Sequence, residues 1–275
     1  MSKIQFTKMH GLGNDYVYVD CFKQEITQPE ALAIKISDRH FGVGSDGLIL
    51  VCPSTVADVR MRMFNADGSE GMMCGNGIRC VAKFSYERGL SLQNPMRVET
   101  ASGIKILALT IKDSIVTEVK VDMGEPKLDA GLIPVLSNTP QALSIAEVDL
   151  EFCCVSMGNP HAITFVPELS DALVLAKGPI VEKHKLFPKR INVGFIQVVD
   201  KQNIKMRVFE RGSGETLACG TGACASVVAG VLKNKIDRTC AVELLGGTLQ
   251  IEWAENNHVF MTGPATEVFR GEFMI

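Results

Sequence analysis

Short stretches of alternating apolar and polar residues set the pattern of this chain. A strand at 3–9 is followed by the run D-Y-V-Y-V-D at 15–20, rich in β-branched and aromatic residues and read as a second strand. Between them H-G-L-G-N-D forms a tight turn that presents Asn14. Residues 29–40 read as a helix, with Pro29 near its start and Leu32, Ile34 and Ile36 as a partial apolar face. A glycine-bearing loop at 41–47 leads to a strand at 48–52. At 58–64, Val59, Met61 and Met63 alternate with Asp58, Arg60 and Arg62, which predicts a strand with one wet face. A helix over 77–88 ends at Gly89, its C-cap, and strands fill 96–123. Pro126, Pro134 and Pro140, with Gly124 and Gly131, make 124–145 the expected linker between two halves. Beyond it come strands at 151–157 and 162–166, partial helix at 170–185 and strands at 191–199 and 204–209. A helix reaching Lys233 and strands at 240–245, 247–253, 258–262 and 266–269 complete the chain.

One stretch occurs twice. F-N-A-D-G-S-E-G-M-M-C-G-N-G at 64–77 and F-E-R-G-S-G-E-T-L-A-C-G-T-G at 209–222 lie 145 positions apart without a gap. Phe64 matches Phe209, Glu70 matches Glu215, and Cys74 matches Cys219; each copy ends in Cys-Gly-x-Gly and runs into a helix. The same offset relates Gly13-Asn14 to Gly158-Asn159, Gly47 to Asn192 and Asn65 to Glu210. This is a two-copy domain repeat and not a short-period solenoid. It predicts two matching β-rich domains with a cleft between them: 1–123, to which 265–275 returns, and 124–264.

Composition narrows the function class. A chain of 275 residues with 46% hydrophobic and 21% charged residues fits a globular protein of two ordinary domains. A formal net charge of −3 gives no electrostatic reason to expect nucleic acid or an acidic membrane as partner. No apolar run approaches the roughly 18 residues of a membrane span, and the N-terminus lacks the apolar core of a secretory signal. A cytoplasmic location is therefore expected. Nine cysteines, an odd number, fit reduced thiols better than a disulfide framework. The spacings Cys74-x5-Cys80 and Cys219-x4-Cys224 are not those of close zinc-ligand pairs, so no metal is assigned.

A thiol at a helix N-terminus meets unpaired N–H groups and the positive end of the helix dipole, which favour its thiolate. Gly75, Gly77, Gly220 and Gly222 let a ligand approach the backbone, whose amides can hold a carboxylate. Two such ends facing one substrate suggest a specific chemistry: one thiolate takes a proton from a carbon while the opposite thiol delivers one to its other face. That inverts a stereocentre and needs two positioned acid–base groups but no leaving group. The bland alternative is that both cysteines are only helix caps. A Cys–His hydrolase using His161 would need one cysteine and leaves the duplication unexplained. A non-catalytic amino-acid-binding protein is the third alternative.

The chain resembles the diaminopimelate epimerases, pyridoxal-phosphate-independent amino-acid epimerases. The resemblance rests on K-M-H-G-L-G-N-D (8–15), D-R-H-F-G-V-G (38–44), F-N-A-D-G-S-E (64–70), C-G-N-G-I-R-C (74–80), S-M-G-N-P-H (156–161), E-R-G-S-G-E-T-L-A-C-G-T-G-A-C-A (210–225) and M-T-G-P-A (261–265). It implies an α/β (α+β) fold of two pseudo-symmetric domains, each a β-barrel-like sheet around a central helix. It also implies interconversion of LL- and meso-diaminopimelate in lysine and peptidoglycan synthesis, without a cofactor, by a homodimer. Residue by residue, Cys74 and Cys219 match the catalytic acid and base. Gly75, Asn76, Gly220 and Thr221 match contacts to the carboxylate at the reacting centre. Asn14, Asn65, Asn159, Asn192 and Arg211 match polar substrate contacts, with Arg211 on the distal carboxylate and Glu210 on an ammonium group. His161 and Glu210 match positions that tune the thiols. A related racemase or isomerase acting on another amino acid is the runner-up.

Two departures stand out. Some members carry Gln where this chain has Gly47, which leaves only backbone for a substrate contact there. Some have a dimer-associated Tyr where this chain has Phe269. Other polar residues have structural readings. Asp67 and Glu70 are expected to organise the turn before Cys74. Arg39 and Arg79 suit internal pairing. Met61, Met63, Met72 and Met73 read as core filler.

Overall fold

The computed structural model describes residues 3–274, which form two compact units; the first runs to Asp122 and resumes at Thr262, and the second is Met123–Met261. In the first unit the chain runs β1 (Lys3–Gly11), β2 (Asn14–Asp20), α1 (Pro29–Ser37), β3 (Gly47–Cys52), β4 (Val59–Asn65), β5 (Glu70–Gly71), α2 (Gly75–Glu87), β6 (Met96–Thr100), β7 (Gly103–Lys112) and β8 (Ile115–Asp122). The C-terminal strand, Thr266–Met274, pairs with β1, and the sheet continues β1–β2–β3–β4–β6–β7–β8. The β2–β3 and β4–β6 pairs are parallel, the others antiparallel.

The period of two along these strands buries both faces. Val17, Val19, Leu48 and Leu50 pack with Leu32, Ala33 and Ile36 of α1. Tyr18 and Ile49 point the other way, onto α2: the Tyr18 ring stacks on Phe84, and its hydroxyl donates to the Gly77 carbonyl at 3.2 Å. Every residue of α2 from Gly75 to Ser85 is buried. Gly89, at φ 66°, closes α2 in the left-handed conformation and donates to the Tyr86 carbonyl.

The second unit continues with β9 (Leu143–Ile145), β10 (Leu150–Ser156), β11 (Pro160–Phe165), α3 (Asp171–Glu182), β12 (Asn192–Val198), β13 (Asn203–Glu210), β14 (Gly214–Glu215), α4 (Gly220–Leu232), β15 (Thr239–Leu244), β16 (Gly247–Trp253) and β17 (Val259–Gly263). Its sheet runs β9–β10–β11–β12–β13–β15–β16, again with two parallel pairs, β11–β12 and β13–β15. The repeat holds in register: Tyr16 faces Gly47 across β2–β3, and His161 faces Asn192 across β11–β12. α2 and α4 stand 145 positions apart at both ends. So do their left-handed caps, Gly89 and Asn234, at φ 66° and 54°.

Three expectations need correction. The stretch 124–145 is no free linker: Ile133, Val135, Leu143 and Ile145 join the core of the second unit beside Phe152, Val193 and Phe195, so its prolines shape a packed surface. Helix α1 stops at Ser37, because the Asp38 carboxylate accepts from the His40 and Phe41 N–H groups and turns the chain away. Ile34 of α1 and Met72 lie outside the core, 54% and 64% exposed; the latter sits in the turn between β5 and α2. Among the described residues no helix is long and apolar enough to cross a membrane.

Candidate active site

Each Cys-Gly-x-Gly copy leaves a short hairpin and enters a buried helix with its cysteine as N-cap. A bidentate ion pair braces each hairpin: Arg62 on Glu70 at 2.9 and 3.2 Å, and Arg207 on Glu215 at 2.6 and 2.8 Å. The shared glutamates are therefore scaffold. The fourth position of each motif is a glycine packed closely against its sheet. A Cβ on Gly77 would lie 2.7 Å from Ile49, and one on Gly222 would lie 2.9 Å from Met206. These two glycines bring the helices down onto the sheets and do not open room for a ligand.

In the first unit the Cys74 sulfur accepts the Gly77 N–H at 3.3 Å and donates to Asn14 Oδ1 at 3.2 Å. The Asn14 amide is oriented from behind, since its Nδ2 donates to Asp46 Oδ2 at 2.8 Å. Asp46 also accepts from the Asp15 N–H and from Arg39, and Arg39 and Lys8 both pair with Asp15. Tyr16, buried on β2, lies against Gly47, its Cε1 2.9 Å from where a Cβ at 47 would stand. Gly47 and Asn65 are cross-strand partners on β3 and β4, and Asn65 Nδ2 donates to Ser69 at 2.9 Å. A Cβ on Gly47 would lie 2.1 Å from the Phe64 carbonyl oxygen, so this backbone has no room there for any side chain. Asn76, the second residue of α2, receives Arg79 Nη1 at 3.1 Å. Arg79 also donates to the carbonyls of Gly75 and Pro264, tying the first turn of α2 to the returning chain.

In the second unit His161 stands where Tyr16 stands in the first. Its Nε2 is 3.1 Å from both Asn159 Oδ1 and Thr221 Oγ1, and Thr221 Oγ1 is 3.6 Å from the Cys219 sulfur. Asn192 bridges the Pro160 carbonyl and the Arg211 N–H, so its amide positions the Arg211 backbone. The Arg211 guanidinium is exposed and donates to the Lys189 carbonyl. Glu210 accepts from Thr216 at 2.5 Å and sits beside Cys219. Gly220 is buried in the first turn of α4.

The expectation of low-pKa thiols is not met. Burial pushes Cys74 above the ordinary thiol range, against opposing pulls from the Gly77 and Asn76 N–H groups, Arg79 and Tyr16. Burial drives Cys219 much higher, and the Glu210 carboxylate adds to it; Thr221 and Gly222 oppose. Desolvation thus outweighs the helix-end donors at both sulfurs. Burial, then the charge of Arg211, brings His161 down to about 3, so its imidazole is neutral. Tyr16 and Asp46 are the site residues that sequence reasoning passed over. The signal for Tyr16 was available, because it lies 145 positions before His161.

The model of the family described as diaminopimelate epimerase matches residues 6–128 and 153–268. The diaminopimelate epimerase of Acetivibrio thermocellus is 56% identical, with 98% of each chain covered. That of Methanococcus maripaludis is 53% identical over 99% of this chain and all of its own, and that of Bacillus cereus 47% over 99% and 98%. Among solved structures, a Bacillus anthracis phenazine biosynthesis protein of the PhzF family superposes over the full length of both chains with a TM-score of 0.73 at 20% identity. A hydroxyproline epimerase from Agrobacterium vitis does so with a TM-score of 0.67 at 14% identity, over 99% of this chain and 91% of its own. Those two likenesses speak to fold alone, whereas the family model and the closer sequences identify the chain: it belongs to the diaminopimelate epimerase family.

Proposed function

We propose that this protein is a cofactor-independent isomerase that interconverts LL- and meso-2,6-diaminopimelate, with Cys74 and Cys219 as its acid–base pair. The observation that carries the reading is the duplicated cysteine N-cap: the same residue, on the same turn of an equivalent buried helix, in both units of a chain 56% identical to a diaminopimelate epimerase. One thiolate takes the α-proton of the substrate and becomes a thiol. The other thiol gives its proton to the opposite face of that carbon and becomes a thiolate. The pair changes places when the reaction runs backward, so neither cysteine is permanently the base. Main-chain amides at the two helix starts, with Gly75, Asn76, Gly220 and Thr221, would hold the α-carboxylate as charge builds on the carbon. Asn14, Gly47, Asn65, Asn159, Asn192, Glu210 and Arg211 would address the rest of the substrate, Arg211 as a rigid fork for the distal carboxylate. The neutral His161 and Glu210 would set the Cys219 side. This reaction belongs to lysine and peptidoglycan synthesis in the cytoplasm. A homodimer is part of the reading; Phe269, 46% exposed and edge-on to Phe6 at 5.8 Å, supports a contact surface there. Light scattering reads the assembly, and a monomer at assay concentration removes that part.

In deuterated water the product gains deuterium at one α-carbon only, and Cys74→Ala and Cys219→Ala each abolish turnover. Full epimerisation by either single variant, or turnover of other amino acids in preference to diaminopimelate on a chiral-chromatography panel, overturns the reading.

A further inference from the structure

The two half-sites place an asparagine at the same point of the repeat but hold it by different groups. Asn14 Nδ2 donates to Asp46 Oδ2 at 2.8 Å, and Asn14 Oδ1 accepts from the Cys74 sulfur at 3.2 Å. Asn159, 145 positions on, has its Oδ1 3.1 Å from His161 Nε2, and the Cys219 sulfur lies 3.6 Å from the Thr221 hydroxyl. The residue equivalent to Asp46 is Ile191, fully buried in the core of the second unit. The chain thus enters β12 without a carboxylate, so the acid ahead of β3 is not a demand of the shared fold. Its position is fixed from several sides. The Asp46 N–H donates to the Asp15 carbonyl at 2.8 Å, and its own carbonyl accepts the Ala66 N–H at 3.1 Å. Its Oδ1 accepts from Arg39 Nη2 at 2.9 Å, and Oδ2 also takes the Asp15 N–H at 3.1 Å. Arg39 and Lys8 pair with Asp15 behind it.

We propose that Asp46 is the positioning residue of the first half-site: it fixes which end of the Asn14 amide faces Cys74, so that the first sulfur rests as a thiol, ready to deliver a proton. The inference rests on the proposed reading of Cys74 as one of the two acid–base groups. An amide has a donor end and an acceptor end, whereas an ionised carboxylate only accepts. The Asn14 NH2 must therefore turn to Asp46, which leaves Oδ1 for the sulfur. Facing an acceptor, the sulfur has to be the donor; a thiolate there would meet an oxygen lone pair. The Gly77 N–H, 3.3 Å from the sulfur, serves either state. Cys219 is not restricted in this way, because the Thr221 hydroxyl donates or accepts by turning. The other titratable or charged groups acting on the Cys74 charge are Arg79 and Cys80 of α2 and Tyr16 and Tyr18 of β2, and all four remain when Asp46 is replaced.

The test is the pH dependence of Cys74 alkylation by iodoacetamide, read peptide by peptide by mass spectrometry in the intact protein, because alkylation follows the thiolate fraction. Asp46→Ala frees the Asn14 amide to turn its NH2 to the sulfur. The Cys74 profile should then move down by about one pH unit, or about tenfold faster alkylation at a fixed pH below the transition. Two comparisons separate the amide lock from the loss of a negative charge. Asp15→Asn removes a carboxylate of the same ion cluster but leaves the Asn14–Asp46 bond, and should barely move the profile. Asn14→Ala removes the acceptor itself, and on that background Asp46→Ala should change nothing further. Buried Cys80 and Cys224 report folding in the same samples, since they stay unreactive while α2 and α4 are intact. Asp46→Asn is the second variant, used if Asp46→Ala exposes them; an amide at 46 can accept from or donate to Asn14 and no longer fixes it. An unmoved Cys74 profile in the folded Asp46 variant, an equal shift in Asp15→Asn, or an undiminished Asp46→Ala shift on the Asn14→Ala background overturns the proposal. If the profiles move as expected but the wild-type protein does not epimerise diaminopimelate, the assigned reaction fails and the role of Asp46 stands.

Discussion

Replacing Gly47 with alanine tests the β2–β3–β4 geometry around the first half-site. The added methyl would stand 2.1 Å from the Phe64 carbonyl oxygen and 2.9 Å from Tyr16 Cε1, far inside the ~3.5 Å of an ordinary contact. The nearer obstacle is main chain, in a strand hydrogen-bonded to β3, so no rotamer change relieves it. The strands must part locally where Gly47 faces Asn65. Overpacking of this kind costs about 1–3 kcal/mol, and a backbone obstacle puts this site near the upper end. The gain from a less flexible unfolded chain returns at most about 1 kcal/mol. A net loss of about 2 kcal/mol lowers the melting temperature by about 4–8 °C in a protein of this size. Turnover should fall at least about tenfold, because the displaced strands carry Asn65 and lean on Tyr16. Differential scanning calorimetry and an epimerisation assay read the two effects. Gly131→Ala is the control, as nothing lies within 4 Å of its added Cβ. A Gly47→Ala protein that melts and turns over like Gly131→Ala would refute the β3–β4 geometry described here.

Asp46→Ala should separate activity from stability. Its ion pair with Arg39 is largely solvated and is worth under about 1 kcal/mol, yet its loss frees the Asn14 amide that faces Cys74, so kcat should drop about tenfold with little change in melting temperature; a drop in activity only in step with unfolding would contradict this. His161 makes stability depend on pH with a definite sign. Its folded value of about 3 lies below its ordinary 6.5, so the unfolded chain binds the extra proton, and stability is lost as pH falls from about 6.5 toward 3. Between pH 7 and pH 5 the loss is about 2 kcal/mol in urea unfolding. His161→Gln should remove that component, and an equal slope in both proteins would show that the imidazole titrates normally.

The repeat was legible because backbone demands recur at the same offset. Residues 75 and 220 open the helices, and residues 89 and 234 close them in the left-handed conformation, once with Gly and once with Asn. Asn159 and Asn14 could be paired from sequence for the same reason. What stayed hidden was which identities serve packing and which serve chemistry. Glu70 and Glu215 match because each braces a hairpin through an arginine, and Gly77 and Gly222 match because each lets a helix touch its sheet. Desolvation of the sulfurs could not be read from spacing, because it depends on how deeply each helix start is covered.

Tyr16 escaped notice because matching by identity does not connect a phenol with an imidazole. Register does connect them, and it shows a trade of volume across the paired strands: large Tyr16 opposite Gly47, smaller His161 opposite Asn192. Filling position 47 would strike the Tyr16 ring, so the two positions are coupled by space. The glycine at 47 and the tyrosine at 16 are coupled by packing across β2 and β3, and a substitution at either should be judged with its partner.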